Sequence, residues 1–128
     1  MRIAKKVTKY MEKIKTFRDL KIWQKGIELI KEVYKVSKDF PKEEQYGLSA
    51  QMRRSSISIP SNIAEGFRRR YSKEHKQFLS IALGSCAELE TQTVIAKELD
   101  YINKESETIL LEFIDHISRM IVNLDKKI

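Results

Sequence analysis

The sequence predicts an all-α fold, an antiparallel up-down-up-down four-helix bundle, on three observations. The chain has only four glycines and two prolines among 128 residues, which is typical of long helices joined by short loops. Apolar residues recur every three to four positions in four segments. Each segment has roughly 20 residues, about 30 Å as a helix, and such helices joined by short turns favour this bundle. We assign residues 17–128 to one domain.

Residues 1–16 form a basic N-terminal extension whose structure the sequence leaves open. Apolar residues in it are weakly spaced among lysines. The pattern fits either an appended helix or a basic arm.

The first strong helix is predicted at about residues 19–38, with Asp19 as its N-cap. Pro41 ends it, because proline disfavours the helical conformation in the residue before it. Two adjacent apolar stripes make its apolar face broad enough for a bundle core. The stripes are Leu20, Trp23, Ile27, Ile30 and Tyr34, and Ile22, Gly26, Leu29, Val33, Val36 and Phe40.

The second helix is predicted at about residues 44–66. Pro60 lacks a backbone donor and should kink the helix near residues 56–60, where neighbouring serines could bond the freed backbone groups. Gly66 is the expected C-terminal stop. Its inward positions are Leu48, Met52, Ile59 and Ile63.

Ser72 and Asn103 are the predicted caps of the third helix, about 73–102, and of the fourth, about 104–125. The core rhythm of the third helix is Phe78, Ala82, Ser85, Leu89, Gln92, Ala96 and Leu99. That of the fourth is Leu110, Phe113, Ile117, Met120 and Leu124.

The net charge of +7 is unevenly distributed along the chain. Residues 1–21 carry eight Lys/Arg against two Asp/Glu, and residues 53–76 carry seven against two. Residues 22–52 are balanced, and residues 77–128 carry five against nine. Two basic blocks in an otherwise neutral or acidic chain indicate attraction to nucleic acid or another polyanion. The alternative is a solvated, solubilising surface.

The densest positive charge lies at the turn between the second and third predicted helices. Guanidinium groups bind phosphate oxygens bidentately, and the aromatic neighbours Phe67 and Tyr71 could stack on unpaired bases. A solvated charged loop is the alternative. The predicted nucleic-acid-binding residues are Arg53, Arg54, Arg68, Arg69, Arg70, Lys73 and Lys76.

Asn62, Glu65 and Glu88 are predicted to form a structural polar network. Helical spacing places Arg54, Ser58, Asn62 and Glu65 in a polar seam beside the apolar face of the second helix. Glu88 lies at the core margin of the third helix, where an unpaired carboxylate would be costly. We expect it to find an Arg, Asn or backbone partner on the second helix. A catalytic pair of Glu65 with Glu88 is the minority interpretation.

No motif for catalysis, metal or cofactor is found, so an enzyme is not expected. A di-iron bundle needs Glu three residues before its histidines, whereas Ser72 and Phe113 precede His75 and His116. Gly-rich phosphate loops and nucleophile elbows are absent. No run of about 18 apolar residues predicts a membrane span, and the N-terminus does not resemble a secretory signal. The single Cys86 fits a cytoplasmic location and a packing role.

A series of motifs then resembles a known family. The motifs are Phe17-x-x-Leu20-x-x-Trp23, Val33-Tyr34, Phe40-Pro41, Glu44-x-Tyr46-Gly47-Leu48, Gln51-x-Arg53-Arg54, Ser58-Ile59-Pro60-x-Asn62-Ile63-Ala64-Glu65-Gly66 and Ser85-x-x-Glu88-Leu89. Over residues 17–125 the chain resembles the four-helix-bundle proteins encoded by intervening sequences within bacterial 23S ribosomal RNA genes. It is also similar to the accessory variability proteins of diversity-generating retroelements.

The resemblance implies a ring-like homopentamer with a basic surface. In the retroelement relatives it implies binding of nucleic acid and of a reverse transcriptase. Arg53 and Arg54 match the family's basic pair, and Asn62 and Glu65 match its signature block. The arginine run is denser than in the family, and residues 1–16 extend beyond it. We therefore predict an oligomeric bundle that binds nucleic acid, RNA or DNA, with RNA the favoured partner; the alternative is an oligomeric scaffold for a protein partner such as a reverse transcriptase.

Overall fold

A computed structural model describes residues 13–128, so most of the predicted N-terminal extension, residues 1–12, lies outside the described part. Four helices make up the fold: α1 (Lys21–Ser37), α2 (Leu48–Phe67), α3 (Ser72–Glu98) and α4 (Lys104–Lys127). Two short 3-10 turns, Phe17–Asp19 and Lys42–Glu44, precede α1 and α2. Within the described residues there is no strand, and none of the helices is long and apolar enough to cross a membrane.

The helices form an antiparallel four-helix bundle. Consecutive helices pack on one another, and α4 closes the bundle by packing on α1. The two ends of the bundle are fixed by contacts between neighbouring helix termini. Arg53 near the start of α2 bonds Ser37 at the end of α1, and Lys76 near the start of α3 pairs with Asp125 near the end of α4.

The core lies along the bundle axis and is made of aliphatic side chains from all four helices. In α1 the buried stripe is Ile22, Gly26, Leu29, Val33 and Ser37. The other predicted stripe of α1 is only partly buried, and its Tyr34 is 37% exposed. Fully buried large side chains include Met52, Ile59, Ile63, Leu79, Leu89, Leu110, Ile114, Ile117 and Ile121.

Two of the predicted helix starts are wrong: α1 follows Leu20, which makes no side-chain cap, and α2 follows Gly47. Asp19 does not cap α1; its carboxylate accepts the backbone N–H of Thr16 at 3.2 Å and closes the first 3-10 turn. The second helix begins at Leu48 rather than near residue 44. There the Glu44 carboxylate accepts the Leu48 N–H at 3.0 Å and the Tyr101 hydroxyl at 2.8 Å. These two bonds hold the pKa of Glu44 below its ordinary value.

Pro60 lies inside α2, which is helical on both sides of it. The ring is buried and packs against Gly26 of α1, where an added Cβ would lie 3.0 Å from the Pro60 Cβ. The missing side chain of Gly26 therefore lets α1 and α2 approach closely at the proline.

The α2–α3 turn is built differently from the prediction. Gly66 has no positive φ and lies within α2, which continues to Phe67. Its lack of a side chain makes room for α3, since a Cβ there would come within 3.0 Å of both His75 and Phe78. Ser72 is the first residue of α3, the N-cap position is Tyr71, and no side chain caps this helix end.

The end of α3 comes at Glu98, earlier than predicted. Asp100 adopts a left-handed conformation with φ 60°. The N–H groups of Asp100 and Tyr101 bond the carbonyls of Lys97 and Ala96, the pattern of a Schellman cap. Leu99, predicted to be in the core, is therefore half exposed. At the next helix the predicted cap is confirmed: Asn103 Oδ1 accepts the Ser106 N–H at 2.8 Å.

Candidate nucleic-acid interface

Cations of residues 13–21 and 68–76, which belong to the two basic blocks of the sequence, meet at one end of the bundle. At this end α1 and α3 begin, and α2 and α4 finish. We call it the basic end. Its cationic residues are Lys13, Lys15, Arg18, Lys21, Arg68, Arg69, Arg70, Lys73, Lys76, Lys126 and Lys127. The acidic residues among them are Asp19, Glu65, Glu74 and Asp125. The bundle is thus strongly positive at this end.

The opposite end of the bundle has balanced charge. Its cationic residues are Lys35, Lys38, Lys42, Arg53, Arg54, Lys97 and Lys104. Its carboxylates are Asp39, Glu43, Glu44, Glu98, Asp100, Glu105 and Glu107. A polyanion approaching the molecule is therefore steered towards the basic end.

Arg68 and Arg69, at the end of α2, are held in place by aromatic rings. The Arg68 guanidinium lies over the Phe17 ring, 5.4 Å from its centroid. That of Arg69 lies 4.6 Å from the centroid of Phe78 and bonds Glu65 Oε2 at 3.1 Å. Both arginines are exposed, so each keeps some guanidinium N–H groups available to a ligand.

Arg70 and Lys73 are the cations of the turn that make no hydrogen bond, ion pair or ring contact within residues 13–128. Tyr71 stands between them in sequence and is 65% exposed. Unpaired cations beside an exposed ring can contact phosphates and stack on a base at once.

Lys76 both stabilises the fold and contributes charge to the surface. Its ammonium donates to the backbone carbonyl of Asp125 and lies 3.8 Å from the carboxylate of the same residue. This pairing ties α3 to α4 at the basic end. Because the Lys76 side chain is 41% exposed, it adds positive charge to the surface as well.

Arg53 and Arg54 do not join the basic end. They precede Arg68 in α2 by about 14 residues, which is about 21 Å along a helix axis. Arg53 Nε donates to Ser37 Oγ at 2.9 Å, and its guanidinium lies 4.4 Å from the Tyr34 ring centroid. Arg53 thus fastens α2 to α1, whereas Arg54 is exposed.

Polar side chains of α2 and α3 bond one another, but no bond joins Asn62, Glu65 and Glu88 to each other within residues 13–128. Ser58 and Ser85 hydroxyls bond across the helices at 2.8 Å, and Asn62 Nδ2 donates to both the Ser58 carbonyl and its hydroxyl. Glu65 is exposed and pairs with Arg69 instead. The partner of Glu88 is a hydroxyl, not the Arg, Asn or backbone group expected: Ser55 Oγ donates to its carboxylate at 3.4 Å.

A cleft of about 390 Å³ opens beside this network. We call it the α2–α3 cleft. It is lined by Gln51, Arg54, Ser55, Ser58, Ser85, Glu88 and Gln92. Gln92 is 8% exposed, and its Oε1 accepts no hydrogen bond within residues 13–128. A buried acceptor without a donor is costly.

Two further titratable groups are buried in the bundle. Desolvation lowers the pKa of His75, opposed by Asp125 and reinforced by Lys76. Burial raises the pKa of the Cys86 thiol, which a hydrogen bond from Ser118 partly offsets. Cys86 is 1% exposed, so its protonated thiol packs in the core. No cluster of His, Cys, Asp or Glu in residues 13–128 could hold a metal ion.

Sequence reasoning missed three contributors to the basic end. Phe17 was assigned only to the family motif, yet its ring supports Arg68. Lys126 and Lys127 were grouped with the acidic C-terminal half, whereas the antiparallel fold returns them to the N-terminus of α1. Counting charges by helix end rather than by sequence block would have found both lysines.

These features define an all-α, four-helix bundle protein with a basic end. Its sequence identifies the family directly: residues 18–123 match the model of the 23S rRNA-intervening sequence protein family. The chain belongs to that family.

The fold is shared with solved structures, among them the 1.70 Å crystal structure of a protein with unknown function from the S23 ribosomal protein family of Bacteroides thetaiotaomicron VPI-5482. The TM-score is 0.76 at 22% identity, covering 82% of this chain and 98% of that one. A search of curated proteins found no match.

Proposed function

We propose that the protein is a non-enzymatic, cytoplasmic RNA-binding bundle that works as a homo-oligomer, a pentamer by the family resemblance. The observation that carries the proposal is that cations of residues 13–21 and 68–76 converge at one end of the fold. Arg70 and Lys73 have no partner there within residues 13–128, and Tyr71 beside them is exposed. Membership of a family named for an rRNA intervening sequence supports RNA as the partner.

Recognition on this surface should depend on phosphate contacts more than on base contacts. Arginine and lysine neutralise phosphates and release counterions, so affinity should fall steeply with salt. Tyr71 adds a stacking surface that single-stranded loops and helix ends can use and that an intact duplex cannot. We therefore expect structured RNA with unpaired bases to bind more tightly than duplex DNA.

The proposal is tested by measuring affinity for labelled structured RNA and for duplex DNA across a salt series. Arg70→Gln/Lys73→Gln should lower RNA affinity at least tenfold. It should also reduce the slope of log affinity against log salt by the contribution of about two phosphate contacts. The matched control is Lys42→Gln/Lys97→Gln, which removes the same charge at the opposite end and should change affinity little.

Two results would overturn this proposal. One is no RNA binding by the unaltered protein even at low salt, which would leave the scaffold for a protein partner as the working function. The other is an equal loss of affinity in the two double variants, which would mean that net charge, and not the basic end, governs binding.

A further inference from the structure

The α2–α3 cleft contains hydrogen-bond acceptors that the fold itself does not satisfy. Gln92 is 8% exposed, and its Oε1 accepts no hydrogen bond within residues 13–128. Glu88 lines the same cleft, and within the described chain its carboxylate accepts only the 3.4 Å bond from Ser55. A buried carbonyl without a donor is costly. The cleft therefore suits a ligand that supplies hydrogen-bond donors.

The cleft also contains donors, and these do not bond its acceptors. Arg54 and Gln51 line it, and neither side chain makes a hydrogen bond or ion pair within residues 13–128. An arginine has five donors and no acceptor, whereas a carboxylate only accepts. A fitting ligand therefore offers acceptors to Arg54 and, on another edge, donors to Glu88 and Gln92.

Short side chains leave the space that such a ligand needs. The cleft volume is about 390 Å³, near the lower end of the range of about 300 to 1,000 Å³ for small-molecule sites. Ser55 and Ser85 are buried, whereas Arg54 and Glu88 are exposed. The serines thus form the floor of the cleft and the two charged side chains form its rim. The volume accommodates one nucleobase with its sugar.

Among the bases of RNA, guanine has the matching pattern of donors and acceptors. Its N1–H and N2–H₂ donors are adjacent on one edge, and its O6 and N7 acceptors are adjacent on the next. Arginine binds O6 and N7 bidentately, and unpaired bases are read on both of these edges. Adenine and cytosine have an acceptor next to their amino group, and uracil has its N3–H between two carbonyls. A carboxylate repels those acceptors.

We infer that the α2–α3 cleft binds guanine. Glu88 and Gln92 accept the N1–H and N2–H₂ groups, and Arg54 donates to O6 and N7. The ligand is a guanine nucleotide, either free or as an unpaired residue of an RNA. In the second case the inference rests on the proposed function, to which it adds recognition of one base.

The cleft is connected to the basic end along one side of α2. Asn62 and Glu65 follow Ser58 at intervals of four and three residues, so all three lie on the same side of the helix. Glu65 pairs with Arg69 of the basic end. Arg69 comes about 11 residues after Ser58, which is about 17 Å along a helix axis. A strand whose phosphates lie on the basic end can therefore extend to the cleft and place a guanine there.

The test is titration of isotope-labelled protein with GMP, IMP and AMP, followed by NMR. IMP lacks the N2 amino group, and AMP has an acceptor where guanine has its N1–H. GMP should therefore bind at least about tenfold more tightly than either, as expected for a bidentate base contact. The side-chain amide signals of Gln51 and Gln92 should shift with GMP.

Glu88→Gln keeps the shape of the side chain and should lower the affinity for GMP at least about tenfold, because an amide donor replaces one acceptor. The matched control is Glu90→Gln, which changes an exposed carboxylate of α3 outside the cleft and should leave GMP binding unchanged. The same spectra show whether each variant is folded.

A hairpin RNA with one guanine in its loop, compared with the same RNA carrying inosine there, distinguishes the two sources of guanine. Tighter binding of the guanine form that Glu88→Gln abolishes assigns the site to RNA. Equal affinities of the two RNAs, with GMP still preferred to IMP, assign it to a free nucleotide.

Two outcomes would overturn the inference. One is that neither GMP nor the guanine-containing RNA is preferred to its inosine counterpart. The other is that folded Glu88→Gln protein keeps the preference. Failure of RNA binding at the basic end is seen separately, because Arg70→Gln/Lys73→Gln should retain the preference for GMP over IMP and AMP.

Discussion

The Arg68 guanidinium lies over the ring of Phe17, 5.4 Å from its centroid. This contact joins the last turn of α2 to the segment that precedes α1. It therefore brings the point where residues 1–16 enter the bundle next to the arginines of the α2–α3 turn. Cations of residues 13–21 and 68–76, far apart in sequence, become neighbours through it.

Deletion of residues 1–12 should weaken RNA binding. The segment carries Arg2, Lys5, Lys6 and Lys9 against Glu12, and its attachment point is at the basic end. Each lost phosphate contact lowers the slope of log affinity against log salt by roughly 0.7 to 0.9. A salt series on the full and shortened chains measures this, and equal slopes would show that the extension makes no phosphate contact.

Asn62→Ala should destabilise the fold without affecting RNA binding. The Asn62 amide donates to the Ser58 carbonyl at 2.8 Å and to the Ser58 hydroxyl at 3.0 Å. Loss of these half-buried bonds should cost about 1 to 2 kcal/mol. Chemical denaturation gives the free energy of unfolding. Glu65→Ala is the comparison, and its exposed pair with Arg69 should contribute less than about 1 kcal/mol.

Gly26→Ala should destabilise the α1–α2 contact. A Cβ at this position would lie 3.0 to 3.3 Å from three atoms of the buried Pro60 ring. Overpacking of this kind typically costs about 1 to 3 kcal/mol, which exceeds the gain of up to about 1 kcal/mol from the better helix former. Thr108→Ala, at an exposed site of α4, is the control and should be neutral or slightly stabilising. A stabilised Gly26→Ala protein would show that the two helices separate freely.

His75 should make the protein less stable as pH falls below about 6.5. Burial lowers the pKa of His75 in the folded state, so the unfolded chain binds more protons in the window between the folded and unfolded values. Stability then rises with pH across that window and is lost as pH falls through it. Thermal unfolding between pH 5 and pH 7.5 measures the slope.

In the same experiment, His75→Leu should flatten the pH dependence. His116→Gln, which removes the other histidine at an exposed site, should leave it unchanged. An unchanged slope in His75→Leu would assign the effect to other groups.

Much of the fold follows from local pattern. The four helices are indicated by apolar spacing, and the cap of α4 by the short polar side chain of Asn103. Both signals are local in the sequence, so they can be recognised without knowing which helices pack together. The starts of α1 and α2 could not be found this way. They depend on Asp19 closing the preceding turn and on Glu44 bonding both Leu48 and a residue of the α3–α4 turn, Tyr101.

The candidate site was predictable only where its signal is local in the sequence. Consecutive arginines at a turn are visible in any charge profile, but their partners are not. Whether an arginine is free or held by a ring depends on which helices meet around it. Arg53 and Arg70 each lie next to another arginine in the sequence. Arg53 nevertheless connects α1 to α2, whereas Arg70 has no partner in the described part of the chain.

The sequence by itself determined the helical class, the number of helices and the charge of each segment, because apolar period and composition act locally. Only the tertiary structure decided which stripe of α1 became the core and which charges became neighbours. The antiparallel packing folds the chain back every 20 to 30 residues, so residues distant in sequence share an end of the bundle. Arg68 and Phe17, like Lys76 and Asp125, meet for that reason alone.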